Sequence, residues 1–390
     1  MYKSRKKLID VILICVVFLY CLSSAGCFGR DSGKRAYTGG FAGYANGILY
    51  YTFASGTLKS LCPADNTDGI VCQIPECRHS DPDCPAYLGL NTILMAAEPS
   101  DDGTTASVYA FAVDSQPLTV DDPTLKFNIV KYDSLNGEKS FVVKNITDGA
   151  SSMLIYESYL YYSYIFGEKD DPMVYRVDKN GGEPQVLAYG DYAVLVTVVD
   201  DHIYYYDGNG YIYRANLDFS EIETLYQISN SDNYGFYTDG KWLYYYGDPI
   251  ASLFNEKEYT LYSLYRIKIG SKKEPQVILS GLAATNRTVM ESNRLYLLSV
   301  PQPQQDTGTP DLKTQNIYTA TQITELNLSD LKPKELFNTE NFVLGQIYAV
   351  TDEFIIAAGE QYQGTEGSAE YNRILIIHNL KDNTTKIITV

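Results

Sequence analysis

The sequence predicts an all-β protein folded as a β-propeller of seven four-stranded blades, with six or eight blades as the alternatives. Three observations carry that expectation. The stretch Ala193–Ile228 holds four β-rich runs, Ala193–Val199, His202–Tyr206, Tyr211–Leu217 and Ile222–Tyr226, separated by Asp200-Asp201, Asp207-Gly208-Asn209-Gly210 and Asp218-Phe219-Ser220-Glu221. Gly and Asn tolerate positive φ, so such turns between Tyr, Ile and Val runs signal hairpins. Four hairpin-linked runs in roughly 35 residues have the length of one propeller blade. Imperfect copies of this unit recur, with aligned second-strand positions Tyr50, Tyr109, Tyr161, Tyr204, Tyr244, Tyr296 and Ile355 spaced by 59, 52, 43, 40, 52 and 59 residues. No stretch sustains a helical apolar period, and Pro punctuates turns and not strand centres. A lone antiparallel blade leaves two apolar faces, and radial stacking covers both. A pair of packed sheets is the competing all-β arrangement.

Taken in order, residues 1–26 read as an export signal. Lys3, Arg5, Lys6 and Lys7 precede an apolar run, Val11–Leu22, and a small-residue exit, Ser23-Ser24-Ala25-Gly26. Twelve apolar residues are too few for a comfortable membrane span. Cys27 follows directly, which makes the segment resemble a bacterial lipoprotein signal, although Ser24 stands where such signals usually carry Leu. The resemblance implies a lipidated Cys27, a short tether over 27–36 and a single propeller domain over 37–390. Ordinary cleavage, leaving a soluble secreted protein, is the alternative. Two acyl chains suffice for stable anchoring, so the expected location is the extracellular face of the membrane. The signal carries four Lys/Arg against Asp10, a net +3, and its loss takes the formal charge from −17 to −20. That charge opposes nucleic acid and anionic lipid headgroups, so no nucleic-acid partner is expected.

The first blade is read around Ile48–Thr52 and Thr57–Leu61, followed by a Cys-rich insert over 62–87. The second is read around Ser107–Val113 and Phe127–Tyr132, and the third around Tyr159–Tyr164 and Met173–Val177. The fifth has Trp242–Tyr246 and Leu261–Ile269, the sixth Arg294–Val300 and Asn316–Leu328, and the last Glu353–Ala358 and Arg373–Asn379. The connections 164–172, 247–260, 301–315 and 359–370 are read as loops on one rim.

Four cysteines remain beyond Cys27: Cys62, Cys72, Cys77 and Cys84. In an exported chain they suggest two disulfides, whose connectivity the spacing leaves open. The same segment, Cys72-x4-Cys77-x-His79-x4-Cys84, offers three thiolates and an imidazole, a tetrahedral zinc set in which Cys62 could replace any ligand. A structural zinc ion is therefore the one cofactor the sequence suggests. Only His79, His202 and His378 are present, and no nucleophile elbow, metalloprotease helix motif or phosphate-binding Gly loop occurs. Asp121-Asp122, Asp170-Asp171 and Asp200-Asp201 could serve as Ca²⁺ ligands or glycosidase carboxylates, but turns account for Asp at such places. Most of the 36 Tyr alternate with apolar residues and are expected in the core. Tyr164, Tyr206 and Tyr246, ending strands beside loops, are candidates for a recognition rim.

Tyr204-Tyr205-Tyr206-Asp207, placed before Tyr213-Arg214-Ala215-Asn216, resembles the Tyr-Trp-Thr-Asp blade of low-density lipoprotein receptor-type propellers; Tyr50-Tyr51-Thr52 and Tyr175-Arg176-Val177-Asp178 are further fragments of it. The chain is also similar to Gram-positive lipoproteins carrying such a propeller. These share a segment like Leu61-Cys62, Pro75-Glu76-Cys77-Arg78-His79 and Cys84-Pro85-Ala86. The resemblance implies no activity. The function expected is a membrane-anchored, non-catalytic binding or scaffold module for a protein or peptide. A cell-surface glycan-binding protein or glycan-active enzyme, and a sensory input domain, are the alternatives.

Overall fold

A computed structural model describes residues 36–38, 40, 42–52, 56–65, 67–89, 92–100, 102–114, 125–164, 171–228, 236–254, 257–283, 289–291, 293–299, 321–339, 342–362 and 371–389. Every regular element among them is a β-strand. A short strand, β1 (Ala36–Thr38), precedes seven four-stranded meanders. Blade 1 is β2 (Ala42–Ala45), β3 (Ile48–Thr52), β4 (Leu58–Cys62) and β5 (Thr67–Ile70). Blade 2 is β6 (Thr92–Pro99), β7 (Ala106–Val113), β8 (Phe127–Asp133) and β9 (Glu138–Ile146). Blade 3 is β10 (Ala150–Tyr156), β11 (Tyr159–Tyr164), β12 (Pro172–Asp178) and β13 (Gln185–Tyr189). Blade 4 is β14 (Val194–Val199), β15 (His202–Tyr206), β16 (Tyr211–Asn216) and β17 (Ile222–Gln227). Blade 5 is β18 (Phe236–Thr238), β19 (Trp242–Phe254), β20 (Lys257–Lys268) and β21 (Gln276–Ala283). Blade 6 is β22 (Val289–Glu291), β23 (Arg294–Ser299), β24 (Gln322–Asn327) and β25 (Pro333–Asn338). Blade 7 is β26 (Val343–Val350), β27 (Phe354–Tyr362), β28 (Tyr371–Asn379) and β29 (Thr385–Thr389). All pairings within a blade are antiparallel, and the seven sheets form the predicted seven-bladed propeller.

Burial falls from the axis outward. Every residue of β10 and β14 is buried, whereas β17 and β29 on the outside are largely exposed. Inner strands are covered on both faces by neighbouring blades, so they read as continuous apolar runs and not as alternating ones.

The tyrosine doublets explain how the blades adhere. Side chains alternate across a strand, so two consecutive Tyr send one ring to each neighbouring seam. Tyr50 packs between blades 1 and 2, and Tyr51 between blades 7 and 1. Tyr161 faces blade 4 and Tyr162 faces blade 2. Tyr205 faces blade 3 and Tyr204 faces blade 5, and Tyr245 and Tyr244 repeat the pattern one blade on. Each ring buries a large apolar area, and its hydroxyl can still find a polar partner near the seam's edge. The ring closes where Leu49, Tyr51 and Leu61 of blade 1 meet Ile356, Leu375 and Ile377 of blade 7.

The N-terminal arm lies at the axis. β1 pairs antiparallel with the innermost strand of blade 3 in the register Ala36↔Tyr156, Tyr37↔Ile155 and Thr38↔Leu154. Gly40 forms a reciprocal backbone bridge with Met95 of β6, and Thr38 Oγ1 donates to Val196 O of β14 at 3.2 Å. Nothing in the sequence reading anticipated this strand.

Two expectations need correction. Residues 67–70 form the fourth strand of blade 1, so the Cys-rich insert follows a completed blade and joins it to blade 2. The 247–260 segment is not a loop: β19 and β20 stay paired from Ile250↔Leu261 to Phe254↔Lys257. Likewise β27 and β28 continue to Tyr362↔Tyr371. The 301–315 segment and most of 164–172 and 359–370 lie outside the described residues.

Candidate metal centre

Between β5 and β6 the chain makes a series of tight turns. Cys77 N donates to Ile74 O, Asp81 N to Arg78 O, Cys84 N to Asp81 O and Tyr87 N to Cys84 O, at 2.8–3.3 Å. Glu76 adopts a left-handed conformation with φ of 60°, just before Cys77. These reversals gather residues that are up to twelve positions apart. One ligand atom each from Cys72, Cys77, His79 and Cys84 lies within 4.8 Å of the others. Cys84 Sγ and His79 Nδ1 are 3.7 Å apart. A tetrahedral zinc ion with Zn–S of about 2.3 Å spaces its ligands by roughly 3.5–3.8 Å, so this quartet needs to close by only about 1 Å at its widest.

Cys72 and Cys84 are buried, and Cys77 and His79 are half-buried. The thiols crowd one another. Hydrogen bonding with Cys84, burial and hydrogen bonding with Cys72 push the Cys77 thiol up to about 12. A divalent cation among the sulfurs would reverse that balance, because a coordinated thiol is held as thiolate. The donor set thus fits a zinc ion.

Cys62 stands apart. It ends β4, hydrogen-bonds Asp65 and is not a member of the quartet. All four cysteines are free thiols in the structure. Two disulfides would require Cys62 to reach one of the other three.

The insert is held to both flanking blades. Leu58 N donates to Ala86 O, Val71 N to Leu58 O and Leu88 N to Gly56 O, and Thr57 Oγ1 donates to His79 O at 3.0 Å. From blade 2, the Lys139 ammonium donates to three carbonyls of the insert: Pro82 O at 2.5 Å, Cys84 O at 2.9 Å and Tyr87 O at 2.8 Å. Burial shifts Lys139 downward in pKa, with the nearby Cys84 opposing the shift. No sequence signal marked this lysine, because its partners are backbone oxygens some fifty residues earlier. A zinc ion with three thiolates and a neutral imidazole carries a net −1, which a neighbouring ammonium offsets. Lys139→Met is expected to weaken zinc binding by about 10–100-fold, the usual cost of losing an outer partner. A chelator-competition titration measures this; unchanged affinity with an intact insert would show that Lys139 only fastens the loop.

The other candidates fall differently. Tyr206 and Tyr246 are buried in blade seams, so neither ring offers an open recognition surface. Tyr164 is half-buried and packs edge-on against Tyr162 and tilted against Tyr175, with centroids 5.8 and 5.0 Å away. Asp200 and Asp201 both adopt positive φ in the β14–β15 turn, and Tyr156 donates to Asp201 Oδ1 at 2.6 Å. Their turn accounts for them. Asp121-Asp122 and Asp170 lie outside the described residues. His202 bonds Asp200 O, and His378 packs on the Phe337 ring and bonds Thr385 Oγ1 at 3.0 Å, as structural histidines do.

Fold and site together define a seven-bladed β-propeller with a Cys3His cluster between its first two blades. Neither a protein-family model nor a curated protein sequence matches the chain. Solved structures resemble it at low identity. The computationally designed Ika8 protein is 9% identical, with 95% of this chain and 100% of that one covered and a TM-score of 0.43. A puromycin hydrolase is 9% identical, with 87% of this chain and 53% of that one covered and a TM-score of 0.43. A Mycobacterium tuberculosis puromycin-hydrolyzing peptidase is 12% identical, with 89% and 52% covered and a TM-score of 0.44. The chain spans about half the length of these two enzymes, and the likeness is one of fold alone.

Proposed function

We propose that this chain is a lipid-anchored propeller on the extracellular face of the membrane, a non-catalytic binding module for a protein or peptide partner. In this reading one structural zinc ion, held by Cys72, Cys77, His79 and Cys84, fixes the insert between blades 1 and 2. The observation that supports the binding role is a closed ring of seven blades whose second-to-third-strand connections vary widely in length. They run from two residues (255–256) in blade 5 to 22 (300–321) in blade 6. Variable connections on a rigid scaffold are where recognition residues concentrate. The basic start, the apolar run Val11–Leu22 and Cys27 support the anchoring.

The test is cross-linked capture from the native envelope with the full chain, beside a variant whose residues 300–321 are replaced by a short Gly-Ser connection. A partner retained by the parent and lost by the variant is the expected result. Identical capture profiles would count against the binding role of that connection. Incorporation of labelled palmitate, abolished by Cys27→Ser, checks the anchor.

A further inference from the structure

The path of β1 fixes the end of the ring from which the tether leaves. In every blade the first-to-second-strand turn lies at one end of the channel and the second-to-third-strand turn at the other. Ala36 pairs with Tyr156, the last residue of β10, beside the turn Glu157–Ser158. β1 runs antiparallel to β10, so the chain enters at the first-turn end and travels inward past Thr38 to the Gly40 bridge with Met95. It then returns along β2 to the turn at Asn46-Gly47, at the end where it entered. The Cys3His insert leaves β5 and joins β6 at the opposite end, and Lys139, near the first-turn end of blade 2, holds its far side. Its backbone bonds reach Gly56, Thr57 and Leu58, where β4 begins opposite Thr52.

Lengths decide what this means for a chain anchored at Cys27. Eight residues (28–35), nine Cα-to-Cα steps, separate Cys27 from Ala36 and span at most about 30 Å when fully extended. To put the insert end against the bilayer, the arm would have to leave the axis, cross four strands to the rim and descend the ring. Strands about 4.8 Å apart, with a channel radius added, make that crossing roughly 20–25 Å. A six-residue strand adds about 20 Å of height. The total, about 40 Å or more, exceeds the reach of the arm.

We propose that the N-terminal arm, seated on the inner edge of blade 3, turns the first-turn end toward the membrane and presents the insert end outward to macromolecules outside the bilayer. The inference rests on the anchoring reading above. It also gives the arm a role beyond tethering, since the strand that leads to the lipid touches the inner strands of blades 2, 3 and 4 and fixes their orientation to it.

The lipidated full chain, added to preformed phosphatidylcholine vesicles, tests it with an epitope inserted after Gly47 at the first-turn end or after Asn209 at the other. Gly47 has open space around it, and Asn209 is exposed in its turn. Should the Gly47 insertion fail to fold, Gly270, a third-to-fourth-strand turn at the same end with open space around it, takes its place. Antibody-fragment binding is compared on vesicles and after solubilisation in detergent. The Asn209 epitope is expected to bind equally in both, and the first-turn epitope about tenfold less on vesicles. A chain that floats with the vesicles while both epitopes bind equally overturns the presentation alone. A chain that does not float overturns the anchoring and with it the presentation.

Discussion

Cys77→Ser is expected to remove zinc from the protein: one equivalent per chain by elemental analysis in the parent, close to none in the variant. The loss in affinity should exceed the roughly 100-fold that an outer partner costs, because a hydroxyl does not replace a thiolate on zinc. Cys72→Ser and Cys84→Ser should behave alike, since all three sulfurs belong to one group within 4.8 Å. Cys62→Ser is the control. Its side chain stands outside that group, so zinc content should stay at one. The same variants separate the two chemistries open to these cysteines. With disulfides, Cys62→Ser would release a thiol in its former partner. With zinc, chelation of the parent would release three thiols at once, and a thiol titration before and after chelator counts them. The seam between blades 1 and 2 should loosen, because Cys72, Cys84, Tyr87 and Leu88 of the insert pack into it, while the other seams, made by residues of other segments, should survive.

Gly43→Leu is expected to destabilise the whole ring, and Gly47→Ala far less. Gly43 lies in β2 where blade 1 crosses closest to blade 2. A Cβ there would fall 2.6 Å from Ala97 N, 2.7 Å from Ala97 Cβ and 2.9 Å from the Ala96 carbonyl carbon. These are mostly backbone atoms of an inner strand that is itself wedged between neighbours, so they cannot step aside. Overpacking in cores costs about 1–3 kcal/mol and more when backbone must move, so Leu belongs at or beyond the top of that range. Gly47 has nothing within 4 Å of its would-be Cβ, and only its φ of 78° resists substitution, at about 1 kcal/mol. Chemical denaturation of the two variants should place their midpoints far apart. Equal midpoints would mean that the inner strands of blades 1 and 2 are looser than drawn.

The part of this fold that was legible in the sequence is the part with two chemically distinct faces or a marked turn. Second and third strands such as Tyr204–Tyr206 and Tyr211–Asn216 announced themselves through Tyr-rich runs and Gly- or Asn-bearing turns. Most inner strands did not. Ala42–Ala45 is short and small, and Ala150–Tyr156 is buried on both faces, so neither shows a period of two. β1 was hidden for another reason: its partner lies more than a hundred residues away, and three residues carry no pattern of their own. The quartet was visible as one candidate set because cysteine and histidine are rare here, beside the reading of the four cysteines as two disulfides. What spacing withheld was the exclusion of Cys62 and the part played by Lys139. Both depend on how the insert folds against blade 2. Tyr206 failed as a rim residue because a strand's last position in a propeller can still lie inside a seam, and Tyr246 because β19 runs on past it to Phe254.

Each blade is one uninterrupted piece of chain, and the terminal strand β29 belongs with its three predecessors. Among the described residues no sheet is shared between the first blade and the last, so side-chain packing between blades 7 and 1 completes the circle. A nascent chain can therefore finish one wedge after another in order of synthesis, with β1 already at the hub when the third wedge arrives to pair with it. The join between first and last wedges is the final one made. It is also where the ring should first come apart under load, and amides of β2, β3 and β27 should exchange with solvent ahead of those in blades 3 and 4.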